Sequence, residues 1–416
     1  MNQGRFCVYL YSKRFTIINK SQKQKEMKHI ITIVLIICAH TIFAQTTEPQ
    51  KVESYTRVKH PVEWYKQQAA LWRENINKNN KDESAWHNYL KALHFVTVFE
   101  ESKSTLEQRN NAVKELIATM PACPTRYIME YYIRRNDIGF NDKQLVEKVL
   151  ETIKSNMQRV EFYENYLGFL LIEYPHEKAL IADICRRWYE SGDFSSGILN
   201  HFYNELAGIP QNSVIFATGD TPTFAYLILQ HAKGLFKNII TVSTPLLYTK
   251  KYQQHICNEL GIDPISADIG FDNGKGGYIS NEEACLYIIE KSKRPAYYSS
   301  SSKLPSFTDK LYCEGLVFHY STTPYDNTAV KRRNFEDVYL VDYLREEFTH
   351  EYPIYERIKL NYITAFGSLL KYYKECNNSI RQKELDTLLR GIISNNKAID
   401  QQTRQHYYDK YDSDNR

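Results

Sequence analysis

The sequence lacks the short motifs that identify many enzymes and metalloproteins. It contains no Gly-x-Ser-x-Gly, His-Glu-x-x-His or Gly-x-Gly-x-x-Gly pattern. The six cysteines that follow residue 44 are scattered singly, and neither they nor the twelve histidines cluster at the spacing of metal ligands. We therefore expect no metal site and no cofactor, and the sequence presents no complete catalytic set.

Long hydrophobic runs are also missing. The main apolar stretch, residues 30–37, is too short to span a membrane. It follows a short basic start and precedes Ala44, a small residue suited to cleavage, which is the pattern of an export signal. We predict a signal peptide over about residues 27–44, preceded by an over-extended gene start over residues 1–26. The mature chain is then exported to the periplasm and has no transmembrane span.

Two alternatives to a cleaved signal peptide stay open. The segment could be an uncleaved anchor, although its apolar core falls short of a membrane span. It could also belong to a lipoprotein with Cys38 as the lipidated residue, although the preceding Ile37 is bulkier than the small residue normally found there.

The chain has little net charge outside the predicted leader. Residues 1–44 hold seven of the 53 Lys and Arg residues but only one of the 49 Asp and Glu residues. The remaining 46 basic and 48 acidic residues leave a formal net charge of −2. A near-neutral body has no electrostatic surface for nucleic acid. We expect a protein partner or a glycan of the cell envelope instead.

A long helical region forms the first part of the mature chain. Residues 45–60 are polar and indicate a linker, and apolar residues then recur at helical spacing. The Trp-x-x-Tyr-Leu-x-x-Leu pattern from Trp86 to Leu93 is similar to a degenerate tetratricopeptide-type helical hairpin, although no clean 34-residue period follows it. We predict a helical, repeat-like domain over residues 61–208.

The centre of the chain is predicted to be a strand–loop–helix–strand unit. An unbroken apolar run over residues 214–217 predicts a buried strand that ends at Gly219-Asp220. A hydroxyl residue and a proline then open a helix, and residues 239–242 predict a second strand. In an open α/β sheet, ligands bind at the carboxyl ends of the strands. The Gly219-Asp220 loop lies at such an end.

Two more strands, over residues 296–298 and 316–320, continue the alternation of strands and helices. This alternation predicts a Rossmann-like, mainly parallel sheet with flanking helices over residues 209–330. Apolar residues at helical spacing follow and predict a C-terminal helical extension over residues 331–416. The predicted fold class is therefore α/β plus all-α.

The edge of this sheet carries the candidate site. A carboxylate at a strand end, near a helix N-terminus, can cap the helix, bind a ligand hydroxyl or act as a base. Asp220 is therefore the best single candidate, and Ser243 and Thr244 lie beside it if the first two strands are adjacent. The predicted ligand-binding residues are Gly219, Asp220, Thr223, Ser243 and Thr244. Helix capping is the competing interpretation for Asp220 and for the two hydroxyl residues after the second strand.

A glycine-rich loop over residues 270–278 matches no binding motif completely. It lacks the spacing of a phosphate-binding P-loop. As a calcium loop it has Gly274 and Gly276 where side-chain oxygens are needed. We predict a mobile loop over the ligand edge of the sheet instead.

Two short motifs in the α/β region carry a family resemblance. The first is Gly219-Asp220 followed by Thr223 and Phe224, and a second follows the next strand. They resemble two motifs of the soluble C-terminal domain of bacterial multi-pass membrane proteins related to protein O-mannosyltransferases. Those motifs are Gly-Asp-Asn-Asp-Thr-Phe/Tyr and Asn-Leu-Ser-Leu-Leu-Asn-Thr-Asp-Trp-Tyr. The residues that match the second motif are Val242, Leu246, Leu247, Thr249 and Tyr252.

The resemblance covers about residues 200–395 and implies an α/β fold in an extracytoplasmic setting. Thr221 and Pro222 replace Asn-Asp of the first motif, and Ser243 and Lys250 replace an Asn and an Asp of the second, so two acidic positions are lost. The membrane-spanning catalytic part of those proteins has no counterpart in this chain. The resemblance therefore does not imply transferase activity.

Two functions fit these observations. The first is a non-catalytic binding or scaffold protein in the envelope of a Gram-negative bacterium, because helical-repeat surfaces suit partners and no catalytic set is complete. The second is an enzyme that acts on a glycan or a small polar ligand. In that case Asp220 would be the base, and Ser243 and Thr244 would position the ligand.

Overall fold

Helices dominate the described chain from Val62 to the central sheet. The computed structural model describes residues 48–54, 56–135, 140–269, 278–345 and 351–414. The predicted gene start and signal peptide lie outside these residues, as does most of the glycine-rich loop. The first helices are α1 (Val62–Lys78), α2 (Glu83–Glu100), α3 (Lys103–Thr119), α4 (Pro124–Arg134), α5 (Lys143–Ser155), α6 (Tyr163–Glu173), α7 (Lys178–Glu190) and α8 (Ser196–Ala207).

Polar residues just before these helices explain where several of them begin. The carboxylate of Asp82 accepts a hydrogen bond from the backbone N–H three residues later, at 3.0 Å, and so caps α2. Ser102 caps α3 and Asp142 caps α5 in the same way. A capping side chain satisfies a backbone N–H that the helix itself leaves without a partner. The polar turns in the sequence therefore separate the helices.

A region of alternating strands and helices follows. Its elements are β1 (Val214–Ala217), α9 (Asp220–Leu227), β2 (Ile240–Ser243), α10 (Lys250–Leu260), β3 (Asp268–Ile269), β4 (Tyr278–Ile279), α11 (Asn281–Ser292), β5 (Ala296–Ser299), β6 (Leu311–Cys313) and β7 (Val317–Tyr320). Five of the strands form a mixed sheet with the order β2-β1-β5-β7-β6. β1 lies between β2 and β5 and is parallel to both. The two very short strands β3 and β4 form a separate parallel pair.

The predicted strand–loop–helix–strand unit is confirmed. All four residues of β1 are buried, which agrees with their unbroken apolar character. Ala217 at the end of β1 pairs with Ser243 at the end of β2, so the two predicted site segments are neighbours. α9 continues as a π-helical turn over Ile228–Ala232, and Gly234 then adopts a φ of 69°.

The prediction of a mainly parallel sheet is wrong for the strands that follow β5. β7 pairs antiparallel with both β5 and β6. The connection between β6 and β7 is too short for the crossover that parallel strands require, and Gly315 turns the chain there with a φ of 105°. β6 was not predicted, because its three half-buried residues, Leu-Tyr-Cys, are too few to show a strand period.

Helices also dominate the described residues after the sheet, as predicted. α12 (Thr328–Arg333) runs on as a π-helical turn, Asn334–Val338. The remaining helices are α13 (Pro353–Lys359), α14 (Asn361–Glu375), α15 (Ser379–Asn395) and α16 (Gln401–Asp414). No helix within the described ranges is both long and apolar enough to cross a membrane.

Two hydrophobic cores hold these elements together. The first lies among α1, α2 and α3 and contains fully buried Trp86 and Leu116. The second contains the sheet and runs from Ile128 in α4 to Tyr411 in α16. α2 and α3 thus pack in the first core, whereas α6 and the carboxyl edge of the sheet belong to the second. The candidate site lies where these two sets of elements meet.

Candidate functional site

A cavity of about 340 Å³ opens at the carboxyl edge of the sheet. α9 and the end of β2 line one part of it, and α2, α3, α4 and α6 line the rest. Ligand cavities of a few hundred Å³ at a sheet edge are typical of α/β proteins. The predicted strand-end loop therefore borders a real cavity.

The structure places the five predicted site residues in two groups. Asp220, Thr223 and Ser243 line the cavity. Gly219 and Thr244 are their chain neighbours and support the edge. The Thr244 hydroxyl lies 2.9 Å from the Thr218 hydroxyl, and the backbone carbonyl of Thr244 accepts a hydrogen bond from Asn281 at 2.8 Å.

Asp220 is the first residue of α9, and Gly219 occupies the cap position with a φ of 110°. The Thr223 hydroxyl donates to the Gly219 carbonyl at 2.8 Å. The Asp220 carboxylate accepts no hydrogen bond from the residues that the structure describes. The capping interpretation of Asp220 is therefore wrong. Its carboxylate is left to face the cavity.

Capping does not explain Ser243 either. It precedes the 3-10 helix Thr244–Tyr248, and its side chain makes no capping hydrogen bond to that helix. Its backbone N–H instead donates to the Tyr252 hydroxyl at 2.9 Å. Ser243 is 4% exposed and lines the cavity beside Asp220. It can therefore offer a hydroxyl to a ligand.

The environment of Asp220 disfavours its charge. Asp220 is exposed, but the space that it faces is the partly enclosed cavity. Limited hydration, and then the charge of Glu164, raise the pKa of Asp220 to about 7, against an opposing effect of Lys91. The Lys91 ammonium lies 4.0 Å from the Glu164 carboxylate, which also accepts a hydrogen bond from Ser54 at 2.8 Å. Lys91 thus pairs with Glu164 and acts on Asp220 only through its charge.

One face of α2 supplies cavity groups that the sequence did not reveal as a site. His87, Lys91 and His94 are four and three residues apart, so they lie on the same side of the helix. Burial lowers the pKa of His87 to about 3. His94 is exposed, but it faces the partly enclosed cavity, and limited hydration and then the charge of Arg109 lower its pKa to about 4. Both imidazoles are therefore neutral at pH 7. The helical spacing of these three polar residues was the available signal, but the apolar residues of α2 dominated the pattern.

Two arginines complete the polar lining, Arg109 from α3 and Arg135 from the end of α4. The Arg135 guanidinium stacks on the Tyr132 ring at 4.6 Å from the ring centroid. The Tyr132 hydroxyl donates to the Asn165 backbone carbonyl at 2.7 Å, which fixes the ring. Nη1 of Arg109 lies 3.3 Å from Nδ1 of the neutral His94 ring. Sequence reasoning missed both arginines, since nothing local distinguishes them from surface arginines.

A second polar cluster lies behind the sheet edge, around buried Glu205. Ser301 Oγ is 3.1 Å from His201 Nε2, a distance that suits a Ser-His pair. In a catalytic triad, however, the acid binds the other ring nitrogen, whereas Glu205 Oε1 lies 3.3 Å from the same Nε2. Nδ1 of His201 is buried without a partner in the described chain. This geometry anchors the loop after β5 and does not activate a nucleophile.

Asp220→Asn is expected to raise the melting temperature at pH 8 and to raise it much less at pH 5. The pKa of an aspartate in an unfolded chain is about 3.9. Between about pH 4 and pH 7 the folded protein with its raised pKa therefore binds the extra proton, and stability falls as the pH rises. At pH 8 the wild type has lost this contribution, and its ionised carboxylate lies in an unfavourable environment that the neutral amide avoids.

Thermal unfolding of wild type and variant at the two pH values measures this difference. Asp263→Asn, which neutralises an exposed aspartate elsewhere, is the matched control. Its melting temperature should differ from that of the wild type by the same amount at both pH values. A melting temperature for Asp220→Asn below that of the wild type at pH 8 would contradict the environment inferred for the carboxylate.

The chemistry of the cavity has to be inferred from its own lining residues. Within the described residues, no group of three or more His, Cys, Asp or Glu side chains could hold a metal ion. The cavity can bind ligand hydroxyls through Asp220 and Ser243, and anions through its arginines. Comparisons with models of protein families, with curated proteins and with solved structures found no significant match to this chain.

Proposed function

We propose that this protein is a non-catalytic binding protein for a small polar ligand that occupies the cavity at the Gly219-Asp220 edge. The observation that carries this proposal is the cavity itself. It is large enough for a small organic molecule and is lined by Asp220, Thr223 and Ser243 at the edge where α/β proteins bind ligands. Its walls combine apolar side chains with a few polar groups, which is typical of a ligand site.

The setting of this function is also part of the proposal. We infer an exported protein of the bacterial cell envelope with a Rossmann-like sheet region, in line with the export signal and the family resemblance in the sequence. The helical hairpin of α1 and α2 would be tetratricopeptide-like. Its outer surface would suit a protein partner, and native pull-down from the envelope tests that part of the proposal.

Binding is favoured over catalysis because the cavity has no activated nucleophile among its described lining residues. His87 and His94, with lowered pKa values, are weak bases at pH 7. One observation favours an enzyme as the second candidate: Asp220 has a pKa of about 7, which suits a general acid or base. An enzyme acting on a glycan or a small polar ligand would then use Asp220 as base.

Ligand-induced thermal shifts of the wild type and of Asp220→Ala test the binding proposal. A panel of neutral sugars, sugar acids, sugar phosphates and nucleotides covers the chemistry of the cavity. At least one class should raise the melting temperature of the wild type, and Asp220→Ala should bind that class about tenfold more weakly, as expected for a lost hydrogen bond to a charged group. Asp263→Ala should bind like the wild type.

The same samples separate the two candidate functions. Free Asp220→Ala should melt no lower than the wild type, because its carboxylate has no described hydrogen bond to lose. A wild type that responds to no class would contradict the binding proposal. Mass spectrometry of the bound ligand after incubation would show whether it is converted, and turnover that Asp220→Asn abolishes would establish the enzyme instead.

A further inference from the structure

Given the ligand-binding function proposed above, we propose that Arg109 and Arg135 form a subsite for the oxyanion group, a phosphate or a carboxylate, of a small organic ligand. The two guanidinium groups line the same cavity, although they come from different helices. A guanidinium binds carboxylates and phosphates through paired N–H donors. Two of them in one cavity provide the donors and the charge for such a group.

The charge of Arg135 acts on Arg109, and no carboxylate among the described residues pairs with either arginine. Burial, and next the charge of Arg135, lower the pKa of Arg109. Neither forms an ion pair within the part of the chain that the structure describes. By contrast, Arg134 on the same helix is paired with Glu130 at 3.1 Å and Asp142 at 2.7 Å. Two like charges of this kind are costly unless a ligand supplies the opposite charge.

Three of their nitrogen donors are also unused among the described residues. Nε and Nη1 of Arg135 are buried and have no hydrogen-bond partner among the described atoms, and Nε of Arg109 is in the same state. Buried polar groups in folded proteins nearly always have a partner. A bound oxyanion would provide acceptor oxygens for Arg135 and Arg109 together.

The carboxylates in the cavity do not fill this role. Glu164 is already engaged by Lys91 and Ser54. The charged lining residues are three cations, Lys91, Arg109 and Arg135, and two carboxylates, Glu164 and Asp220. The two histidines are neutral. The cavity therefore keeps a charge of +1 when Asp220 is ionised and +2 when it is protonated. A ligand with one or two negative charges neutralises it.

The subsite is held in place before any ligand binds. Tyr132 supports the Arg135 guanidinium and is itself fixed by the Asn165 carbonyl. This arrangement depends on Gly168, because a Cβ atom there would lie 2.7 Å from the Tyr132 hydroxyl. Rigid positioning of this kind lowers the cost of binding.

The rest of the cavity indicates an organic ligand and not an inorganic ion. Apolar side chains line it next to the arginines, and Asp220 and Ser243 can bind hydroxyls. The expected ligand therefore has an oxyanion group and a small body with hydroxyl groups. The apolar lining residues are Leu90, Val113, Ile133, Phe224 and Leu246.

Calorimetry with the full chain and four probes tests the subsite. The probes are glucose, glucose 6-phosphate, glucuronate and inorganic phosphate. Glucose 6-phosphate, glucuronate or both should bind at least about tenfold more tightly than glucose and than inorganic phosphate, and the stronger of the two identifies the oxyanion. Arg109→Gln and Arg135→Gln should each weaken that binding about tenfold or more, whereas Arg134→Gln, the matched control on the same helix, should change it less than twofold.

The outcomes separate this subsite from the function on which it depends. Equal affinity of the wild type for glucose and for its charged derivatives would overturn the oxyanion subsite and leave the ligand-binding function standing. Binding of none of the four probes or of the wider ligand panel would contradict the function itself. If an arginine variant does not fold, the wild type still decides: the affinity for the charged probe should fall steeply with salt and that for glucose should not.

Discussion

Replacement of Glu205 by alanine is expected to lower the free energy of unfolding by about 3 kcal/mol. Glu205 is completely buried in α8. It accepts hydrogen bonds from the Tyr226 hydroxyl and from the Ser300 hydroxyl, the latter at 3.1 Å. Alanine would leave these two hydroxyl donors without this acceptor in a largely buried environment, where each unsatisfied group costs about 1–3 kcal/mol.

Urea unfolding of the variant and of two controls measures this loss. Glu205→Gln retains one acceptor oxygen and should lose less stability than the alanine variant. Glu190→Ala removes an exposed carboxylate paired with Arg186 and should change stability by no more than about 0.5 kcal/mol. An unfolding midpoint of Glu205→Ala equal to that of the wild type would show that the buried network contributes no net stability.

Gly315→Ala is expected to cost about 3 kcal/mol through two effects. Gly315 has a φ of 105° in the turn between β6 and β7, a region that costs other residues about 1–3 kcal/mol. A Cβ atom there would also lie 2.7 Å from the Tyr339 hydroxyl. Tyr339 is buried and accepts a hydrogen bond from the Leu316 N–H at 3.1 Å, so it cannot move away freely.

Gly391→Ala is the matched control for this substitution. Gly391 lies inside α15, and no atom would contact the added Cβ within 4 Å. Alanine should therefore stabilise the protein by about 0.5–1 kcal/mol. Opposite shifts in the melting temperatures of the two variants are expected. Two shifts of the same sign would contradict the role of backbone conformation at Gly315.

Local patterns in the sequence were sufficient for the helical character of the regions on both sides of the sheet and for the first two strands, although the helix α4 was not predicted. The apolar run at 214–217 and the turn at Gly219 predicted β1, whereas its pairing with β2 was a condition that the structure now meets. The antiparallel half of the sheet was missed, because pairing between distant strands depends on tertiary packing that no short pattern encodes. β6 is half-buried and only three residues long, so it has no periodicity to detect.

The candidate site was predictable only on its sheet side. Asp220 and Ser243 lie where strands end, which is a topological rule that can be applied to a sequence. His87, Arg109 and Glu164 lie far away along the chain, and only the packing of α2, α3 and α6 brings them to the same cavity. The orientation of Asp220 was misjudged in part, because a glycine took the cap position that an aspartate often fills.

The position of the cavity between two hydrophobic cores has a mechanical consequence. α2 and α3 are anchored in one core, whereas α6, α9 and β2 are anchored in the other. A ligand held by Arg109 on one side and by Asp220 on the other would link these two sets of elements. Part of the binding free energy of the ligand would then oppose the separation of α2 and α3 from the sheet edge. Ligand binding would therefore slow the local opening of α2 and α3, including residues of these helices that do not contact the ligand.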